Sequence, residues 1–178
     1  MNENFKIVYQ WEKRTQSLPF SEDDYVDATK LFLSLRHFLS DFQGKFTLHV
    51  GRLELDFDIG PDLSTVFEEL PSVLEQLTTE TQTPVELYFF EQGTDLMFLL
   101  QRQGEIISLW IEKKSSVGVR FANIPNRVVS ISATDFLKEW IQFIKAVLNS
   151  LLDLDPTLMN DESYQMYLKR LFQIQSRT

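Results

Sequence analysis

Carboxylates are the side chains in this sequence whose number and spacing could allow metal binding or acid-base chemistry. Asp56 and Asp58 lie two residues apart in a stretch of alternating apolar and polar residues, so on a strand their carboxylates share one face. Asp62 follows Gly60-Pro61. Such oxygens could bind a divalent cation, but the run D-F-D-I-G-P-D lacks the ligand series and closing Glu of a calcium loop. We therefore interpret these acids as solvated strand and turn residues and predict no metal site.

The two histidines are the other candidates for acid-base chemistry. His37 falls on the polar side of a predicted helix, and His49 falls on the outer side of a predicted hairpin. A catalytic histidine needs a positioned partner, and the sequence indicates none for either residue. We interpret both as surface residues, and we interpret Asp153, Asp155 and Asp161 as cap and loop acids.

Signature motifs of catalysis and cofactor binding are absent. The chain has no cysteine, which excludes disulfides, thiolate nucleophiles and cysteine-based zinc sites. No two of the six glycines are closer than seven residues, so neither a dinucleotide fingerprint nor a P-loop is present. The motifs G-x-S-x-G and H-E-x-x-H are also missing. We predict no cofactor and no catalytic residue, and we expect a binding protein rather than an enzyme.

Hydrophobic periodicity predicts the elements that position these residues. The N-terminal half contains a strand over 5–11, a helix over 24–43 that stops before Gly44, a hairpin over 45–59, and a helix over 62–77 that kinks or restarts at Pro71. The C-terminal half contains strands over 85–90, 96–102, 105–112, 117–121 and 127–132, a helix capped at Ser132, and a helix over 161–174. The prediction is one α+β domain over 1–178, with a mostly antiparallel sheet, about four helices, and residues 1–20 as an N-terminal arm or edge strand.

The hairpin carries the most specific prediction of strand pairing. A two-residue loop at Gly51-Arg52 aligns the apolar residues of both strands and, at the same time, the polar ones. The predicted pairs are Val50 with Leu53, Leu48 with Leu55 and Phe46 with Phe57 on one face, and His49 with Glu54 and Lys45 with Asp58 on the other. Because both faces agree, the sequence predicts a single register.

The last two helices are predicted to bury wide apolar faces. The first face spans about 180° and comprises Phe136, Leu137, Trp140, Ile141, Phe143, Ile144, Val147, Leu148, Leu151 and Leu152. The second comprises Tyr164, Tyr167, Leu168, Leu171, Phe172 and Ile174. A face as wide as the first must contact both a sheet and a second helix.

The net charge of −9 comes from one stretch of the chain. Between Arg52 and Arg102, 49 residues include eleven acids and no Lys, Arg or His. This field repels phosphate backbones, so we expect no nucleic acid, and it attracts basic proteins. The predicted acidic surface combines the outer face of the hairpin with the outer face of the 62–77 helix; its residues are Glu54, Asp56, Asp58, Glu68, Glu69 and Glu75.

The three-stranded meander over 85–112 offers an alternative site. One of its faces is wholly apolar, and the other mixes aromatic and polar residues. The polar and aromatic members of a candidate pocket on the mixed face are Glu86, Tyr88, Gln101, Ser108 and Trp110. This face either packs under a helix or binds a small molecule or a partner. If it binds a small molecule, the alternative function is a small-molecule-binding protein or an enzyme of unrecognised type.

The acid-only stretch that contains DFDIGPDLSTVFEELPSVLEQL, together with the absence of catalytic motifs, resembles the small acidic immunity proteins of bacterial toxin systems. That resemblance implies a single α+β domain that binds and blocks a basic cognate protein through an acidic surface. It is a likeness of class, and it assigns no role to any individual residue.

The sequence contains no candidate membrane segment. No apolar run approaches the roughly 20 residues that a membrane helix needs, and the N-terminal residues MNENFKIVYQWEKR have no signal-like apolar core. We expect a soluble, cytoplasmic protein with no membrane partner, while its oligomeric state is not predicted.

Trp140 provides a test of the predicted core. It lies near the middle of the 180° face, so we expect Trp140→Ala to lower the free energy of unfolding by about 3–5 kcal/mol. Chemical denaturation of both proteins measures this difference. A loss below about 1 kcal/mol would mean that the apolar face is misassigned.

Overall fold

The computed structural model describes residues 4–21, 27–90, 94–114 and 128–178. These residues form an α+β fold with two antiparallel sheets, which confirms the predicted class. The strands are β1 Phe5–Lys13, β2 Phe42–Val50, β3 Leu53–Asp58, β4 Val85–Phe89, β5 Leu96–Gln103, β6 Ile106–Lys113 and β7 Val128–Ser132. The helices are α1 Lys30–Asp41, α2 Pro61–Val66, α3 Leu70–Gln76, α4 Ala133–Leu154 and α5 Glu162–Gln175, with a 3₁₀ turn over Pro156–Asn160. No helix in these ranges is both long and apolar enough to cross a bilayer.

The first sheet has the strand order β1-β2-β3 and contains the predicted hairpin. All five predicted cross-strand pairs are present, from Val50 with Leu53 to Lys45 with Asp58. Gly51 has a φ of 62°, the left-handed conformation that the first residue of such a turn requires. The N-terminal segment is an edge strand, because β1 pairs with β2 along its whole length.

Helix α4 covers the outer edge of β1. The backbone N–H of Ile7 donates to Glu139 Oε2 over 2.9 Å, so a side chain replaces the missing strand partner. The rings of Phe5 and Phe136 lie 4.8 Å apart, and those of Tyr9 and Phe143 lie 5.4 Å apart. Covering an edge in this way limits strand pairing with other molecules.

The second sheet has the order β4-β5-β6-β7. The predicted meander forms its first three strands, and the segment predicted over 127–132 forms the fourth as β7. The strand predicted over 117–121 lies outside the described residues. The two sheets meet through aromatic rings, because Phe57 of β3 lies 4.4 Å from Phe89 of β4, centroid to centroid.

Trp140 lies at the centre of the core. Its side chain is fully buried, and the rings of Phe46, Phe136 and Phe143 surround it at centroid distances of 5.9–6.5 Å. Within the described part of the chain, its indole N–H has no hydrogen-bond partner. Packing rather than polar pairing therefore holds this side chain.

The structure corrects the predicted boundaries of the first helix. Helix α1 begins at Lys30, where the Thr29 hydroxyl caps it, rather than at residue 24. It ends at Asp41, and Gly44 lies inside β2 instead of terminating the helix. An ideal Cβ on Gly44 would lie 2.1 Å from the carbonyl oxygen of Gln10, so glycine permits β1 and β2 to approach closely here.

The predicted 62–77 helix is two short helices separated by residues 67–69. Pro71 lies in the first turn of α3, where a missing N–H is tolerated, so the restart that it predicted is present. At the break, the buried Tyr167 hydroxyl donates to the carbonyl oxygen of Phe67 over 2.6 Å. The two rings stack with centroids 5.0 Å apart. Helix α5 thus supplies a partner for a carbonyl that lies between α2 and α3.

The predicted apolar face of α4 is confirmed, with nine of its ten residues buried and Leu152 partly buried. The predicted face of α5 needs a correction. Tyr164, Tyr167, Leu171 and Ile174 are buried, but Phe172 is 61% exposed. At about 100° per residue, Phe172 lies about 100° from Leu171, outside the stripe that contacts the core.

The close approach at Gly44 predicts the effect of adding one methyl group. Gly44→Ala should lower the free energy of unfolding by about 1–3 kcal/mol, because backbone atoms on β1 occupy the space of the Cβ. The matched control is Gly60→Ala, since a Cβ on Gly60 would meet no atom within 4 Å. Urea denaturation of both variants measures the difference, and equal stabilities would contradict the packing of β1 on β2.

Candidate functional site

Three of the predicted acids form a row on the outer face of β3. Glu54, Asp56 and Asp58 are all exposed and alternate with buried Leu55 and Phe57, as the period of two predicted. Because β3 is at the edge of its sheet, the row runs along one border of the molecule's first sheet. The three carboxylates are solvated, and neighbouring ones lie about 7 Å apart because they are two residues apart on the strand.

Basic and polar side chains on β2 face this row. Lys45 Nζ lies 3.5 Å from Asp56 Oδ2, and His49 Nδ1 lies 3.5 Å from Glu54 Oε1. The Thr47 hydroxyl donates to Asp56 Oδ1 over 2.6 Å. Exposed ion pairs of this length contribute little and neutralise the carboxylates only partly. The negative charge at this edge of the hairpin is therefore reduced, but the edge is still acidic.

The remaining predicted acids do not share one helix face. Glu68 and Glu69 are exposed residues in the break between α2 and α3, whereas Glu75 is a half-buried residue of α3. Glu75 Oε2 lies 3.8 Å from Arg170 Nε, a base that is 95 residues away in the sequence. The predicted outer face of the 62–77 helix is therefore not one continuous helical surface, because residues 67–69 separate α2 from α3.

Strand register brings the five residues of the alternative pocket onto one sheet face. Glu86 pairs with Leu99, which pairs with Trp110, so these three form one row across β4, β5 and β6. Gln101 pairs with Ser108 in the adjacent row. Glu86 is exposed, and the other four pocket residues are partly exposed: Tyr88, Gln101, Ser108 and Trp110.

Two polar groups on this sheet face are hydrogen-bonded to their own chain. The Tyr88 hydroxyl donates to Asp95 Oδ1, and this hydrogen bond raises the pKa of Tyr88 above its ordinary value. The Gln101 amide donates to the carbonyl oxygens of Thr81 and Gln82 over 3.4 and 3.2 Å. A site for a polar small molecule would need free donors and acceptors at its centre, and here Tyr88 and Gln101 use theirs internally.

The interpretation of Asp62 as a solvated turn acid is wrong, because its carboxylate is buried and has a structural role. Asp62 is fully buried, and its Oδ2 accepts the backbone N–H of Asp58 over 2.6 Å. It thus supplies an acceptor for the end of β3, while Asp56 and Asp58 point to solvent. Within the described ranges, no three His, Asp or Glu side chains are placed to hold a metal ion.

A polar cleft that we did not predict from the sequence lies between α1 and the end of α4. Lys30, Ser34, His37 and Asp41 follow one another at i, i+4, i+7 and i+11 on α1, and with Leu154 and Asp155 they line a cavity of about 480 Å³. That spacing was visible in the sequence as a second, polar stripe. We had interpreted His37 as a surface residue; it is exposed at the rim of this cavity, with Phe20 edge-on at 4.6 Å.

Lys30 contacts Asp155 and Thr157 at one end of this cleft. Lys30 Nζ lies 3.4 Å from Asp155 Oδ2 and donates to the Thr157 hydroxyl over 2.5 Å. The Thr157 hydroxyl also donates to Asp155, which lowers the pKa of that carboxyl. Burial alone would raise the pKa of Asp161, but hydrogen bonds from Ser163 and the Tyr164 amide outweigh it and lower that pKa. Asp155 and Asp161 cap the 3₁₀ turn and α5, as their interpretation as cap acids predicted.

Comparisons with known proteins give no relative. No protein-family model, no curated protein and no solved structure matches the chain.

The lowered pKa of Asp161 predicts how its contribution to stability depends on pH. A folded-state pKa below the unfolded value of about 3.9 means that the stabilisation is present above that pH and is lost as the pH falls through the folded-state pKa. Asp161→Ala should cost about 1 kcal/mol of unfolding free energy at pH 6, as for other N-cap residues.

The cost should shrink as the pH falls below about 4, measured by urea denaturation at pH 6, 4 and 3. Asp153→Ala serves as the control, because the side chain of Asp153 is exposed and, within the described residues, makes no hydrogen bond. A cost at Asp161 that does not change with pH would show that the cap does not depend on its charge.

Proposed function

We propose that this chain is a non-catalytic protein-binding module of the immunity type, which docks a basic protein on the acids of residues 53–101. The proposal is supported by the exposure of seven of the ten acids of that stretch that lie within the described residues. They are Glu54, Asp56, Asp58, Glu68, Glu69, Glu80 and Glu86. An acidic surface accelerates the approach of a basic partner and repels nucleic acid.

The observation that carries the proposal is the rigid presentation of Glu68 and Glu69. Both side chains are exposed, and within the described residues neither forms an ion pair. The residue before them, Phe67, is fully buried, stacks on Tyr167 and receives the Tyr167 hydrogen bond on its carbonyl oxygen. Because the turn is anchored at Phe67, its backbone is already ordered before a partner binds, and only the side chains of Glu68 and Glu69 lose conformational entropy.

The β3 row supplies a second group of carboxylates. Its ion pair with Lys45 and its contact with His49 are solvent-exposed, and the side chain of Glu54 is 73% exposed. A basic partner can replace such weak internal pairs at low cost. Glu75 contributes less in this proposal, because it is half-buried and already near Arg170.

A charge reversal tests the role of the anchored turn. The double variant Glu68→Lys and Glu69→Lys should fold normally, since exposed substitutions usually change stability by less than about 0.5 kcal/mol. It should associate with a basic partner roughly tenfold more slowly at low salt, and the difference should shrink at high salt. The partner is first captured from a lysate of the source cells with the wild-type chain, and association rates are then measured across a salt series.

The matched control reverses two exposed acids outside the acidic stretch, Glu105→Lys and Asp153→Lys. This control has the same net charge as the double variant, so it separates a local effect from a change in overall charge. Equal association rates for the two double variants would contradict docking at Glu68 and Glu69. The interface would then be sought on the sheet face of Tyr88 and Trp110, which stays an untested prediction.

A further inference from the structure

The cavity between α1 and the end of α4 contains a serine that the fold buries without pairing it. Ser34 lines this cavity and is only 8% exposed. Within the described part of the chain, its hydroxyl makes no hydrogen bond. Ser40, a second buried serine of the same helix, instead donates to the carbonyl oxygen of His37 over 2.8 Å. Because buried hydroxyls are normally paired, Ser34 indicates that the cavity receives a polar ligand.

The ion pair of Lys30 and Asp155 at one end of the cavity can accommodate two more hydrogen bonds. An ammonium has three N–H donors, and among the described residues those of Lys30 reach only Asp155 and Thr157. Asp155 Oδ1 accepts the amide and the hydroxyl of Thr157, whereas Oδ2 faces Lys30 Nζ at 3.4 Å. One donor of Lys30 and one lone pair of Asp155 Oδ2 therefore stay available to a ligand.

The charges around the cavity discriminate between classes of ligand. A simple anion would pair with Lys30, but Asp155 beside it would repel the same anion. Lys30 would likewise repel a simple cation from Asp155. A cation paired with Asp41, about two helical turns from Ser34, would leave the Ser34 hydroxyl unused.

A zwitterion with adjacent opposite charges avoids both kinds of repulsion. It can place its negative group on Lys30 and its positive group on Asp155 at the same time. An α-amino acid has this arrangement, because a single carbon atom separates its ammonium group from its carboxylate. The charges of the amino acid are therefore close neighbours, as are Lys30 Nζ and Asp155 Oδ2 at 3.4 Å.

The apolar part of the lining indicates which side chain the amino acid carries. Leu33 of α1 and Leu154 of α4 both line the cavity, and Leu154 is 40% exposed. An aliphatic side chain between these leucines would remove apolar surface of all three groups from water. The volume of about 480 Å³ is in the usual range of small-molecule sites.

We propose that the cavity between α1 and α4 binds an α-amino acid with an aliphatic side chain. The carboxylate of the ligand accepts from Lys30 and from the Ser34 hydroxyl, and its ammonium donates to Asp155 Oδ2. The side chain lies between Leu33 and Leu154. Lys30 and Ser34 are four residues apart and so lie on the same side of α1, where one carboxylate can reach both.

The test is isothermal titration calorimetry of the full chain with L-leucine and two analogues of the same aliphatic chain. The analogue 4-methylpentanoate lacks the ammonium group, and 3-methylbutylamine lacks the carboxylate. Leucine should bind, and each analogue should bind at least about tenfold more weakly, because it leaves one charge of the ion pair without its ligand partner. Glycine should also bind more weakly than leucine, since it has no side chain to pack.

Ser34→Ala should weaken the binding of leucine about three- to tenfold, because it removes one donor to the carboxylate. Its matched control is Ser40→Ala, which removes a buried hydroxyl from the same helix outside the cavity lining. The control should bind leucine like the wild type.

Lys30→Met should weaken the binding of leucine to the level of 3-methylbutylamine, because the carboxylate then has no cation to pair with. Lys114→Met is the matched control, since Lys114 forms a similarly exposed ion pair with Glu112 at 3.0 Å outside the cavity. Thermal unfolding of every variant identifies any that fails to fold, and Ser34→Ala tests the site if Lys30→Met does.

Three results would overturn the assignment to an amino acid. One is the absence of binding for leucine, valine and isoleucine at millimolar concentrations. Another is an analogue that binds as tightly as leucine, which would make the ligand a simple anion or a simple cation. The last is an equal effect of Ser34→Ala and Ser40→Ala on the affinity for leucine.

The proposal goes beyond the docking of a basic protein, because it uses none of the acids between Arg52 and Arg102. The variant with Glu68 and Glu69 reversed to lysine should therefore bind leucine like the wild type. Ser34→Ala should in turn leave the association rate of the basic partner unchanged. Failure of one proposal can thus be distinguished from failure of the other.

Discussion

Helix α4 has to bury an apolar face of about half its circumference, and the rest of the fold is arranged to meet that requirement. It contacts β1 of the first sheet, β6 and β7 of the second sheet, and helices α1 and α5. Trp140 at its centre packs on Phe46, which stacks on Phe57, and Phe57 in turn reaches Phe89 of the other sheet. Because the inner faces of both sheets are used in this way, the surfaces that the described residues leave for a partner include the outer sheet faces, the α2–α3 turn, the cleft between α1 and α4, and α5.

Elements with a regular spacing of apolar and polar residues could be predicted from the sequence to the residue. The hairpin register followed from its apolar and polar pairs together, and the buried face of α4 followed from ten apolar residues at helical spacing. Boundaries that depend on tertiary contacts could not be predicted. Gly44 has the local sequence context of a residue that ends a helix. Its role is instead to leave room for the backbone of Gln10, which is 34 residues earlier. The break after Val66 is bridged by Tyr167, which is 101 residues later.

The candidate surfaces show the same limit. The sequence located the acids, because a stretch without bases is visible by inspection, but it did not reveal that Arg170 lies beside Glu75. It also assigned Phe172 to the core, since an apolar residue next to a buried stripe has the same local pattern whether it packs or not. Such residues are distinguished only by what the rest of the chain places against them. Exposed aromatic residues such as this one are consequently found from coordinates rather than from periodicity.

The contact between Ile7 and Glu139 determines when the N-terminal strand can be completed during synthesis. Strand β1 can pair with β2 once residue 50 has emerged from the ribosome, but the helix that covers its other edge is encoded about 80–90 residues later. At 5–20 residues per second, the outer edge stays uncovered for about 4–18 s in every round of translation. During that interval the nascent chain exposes backbone groups and the rings of Phe5 and Tyr9, and an unpaired strand edge of this kind makes a folding intermediate prone to aggregation.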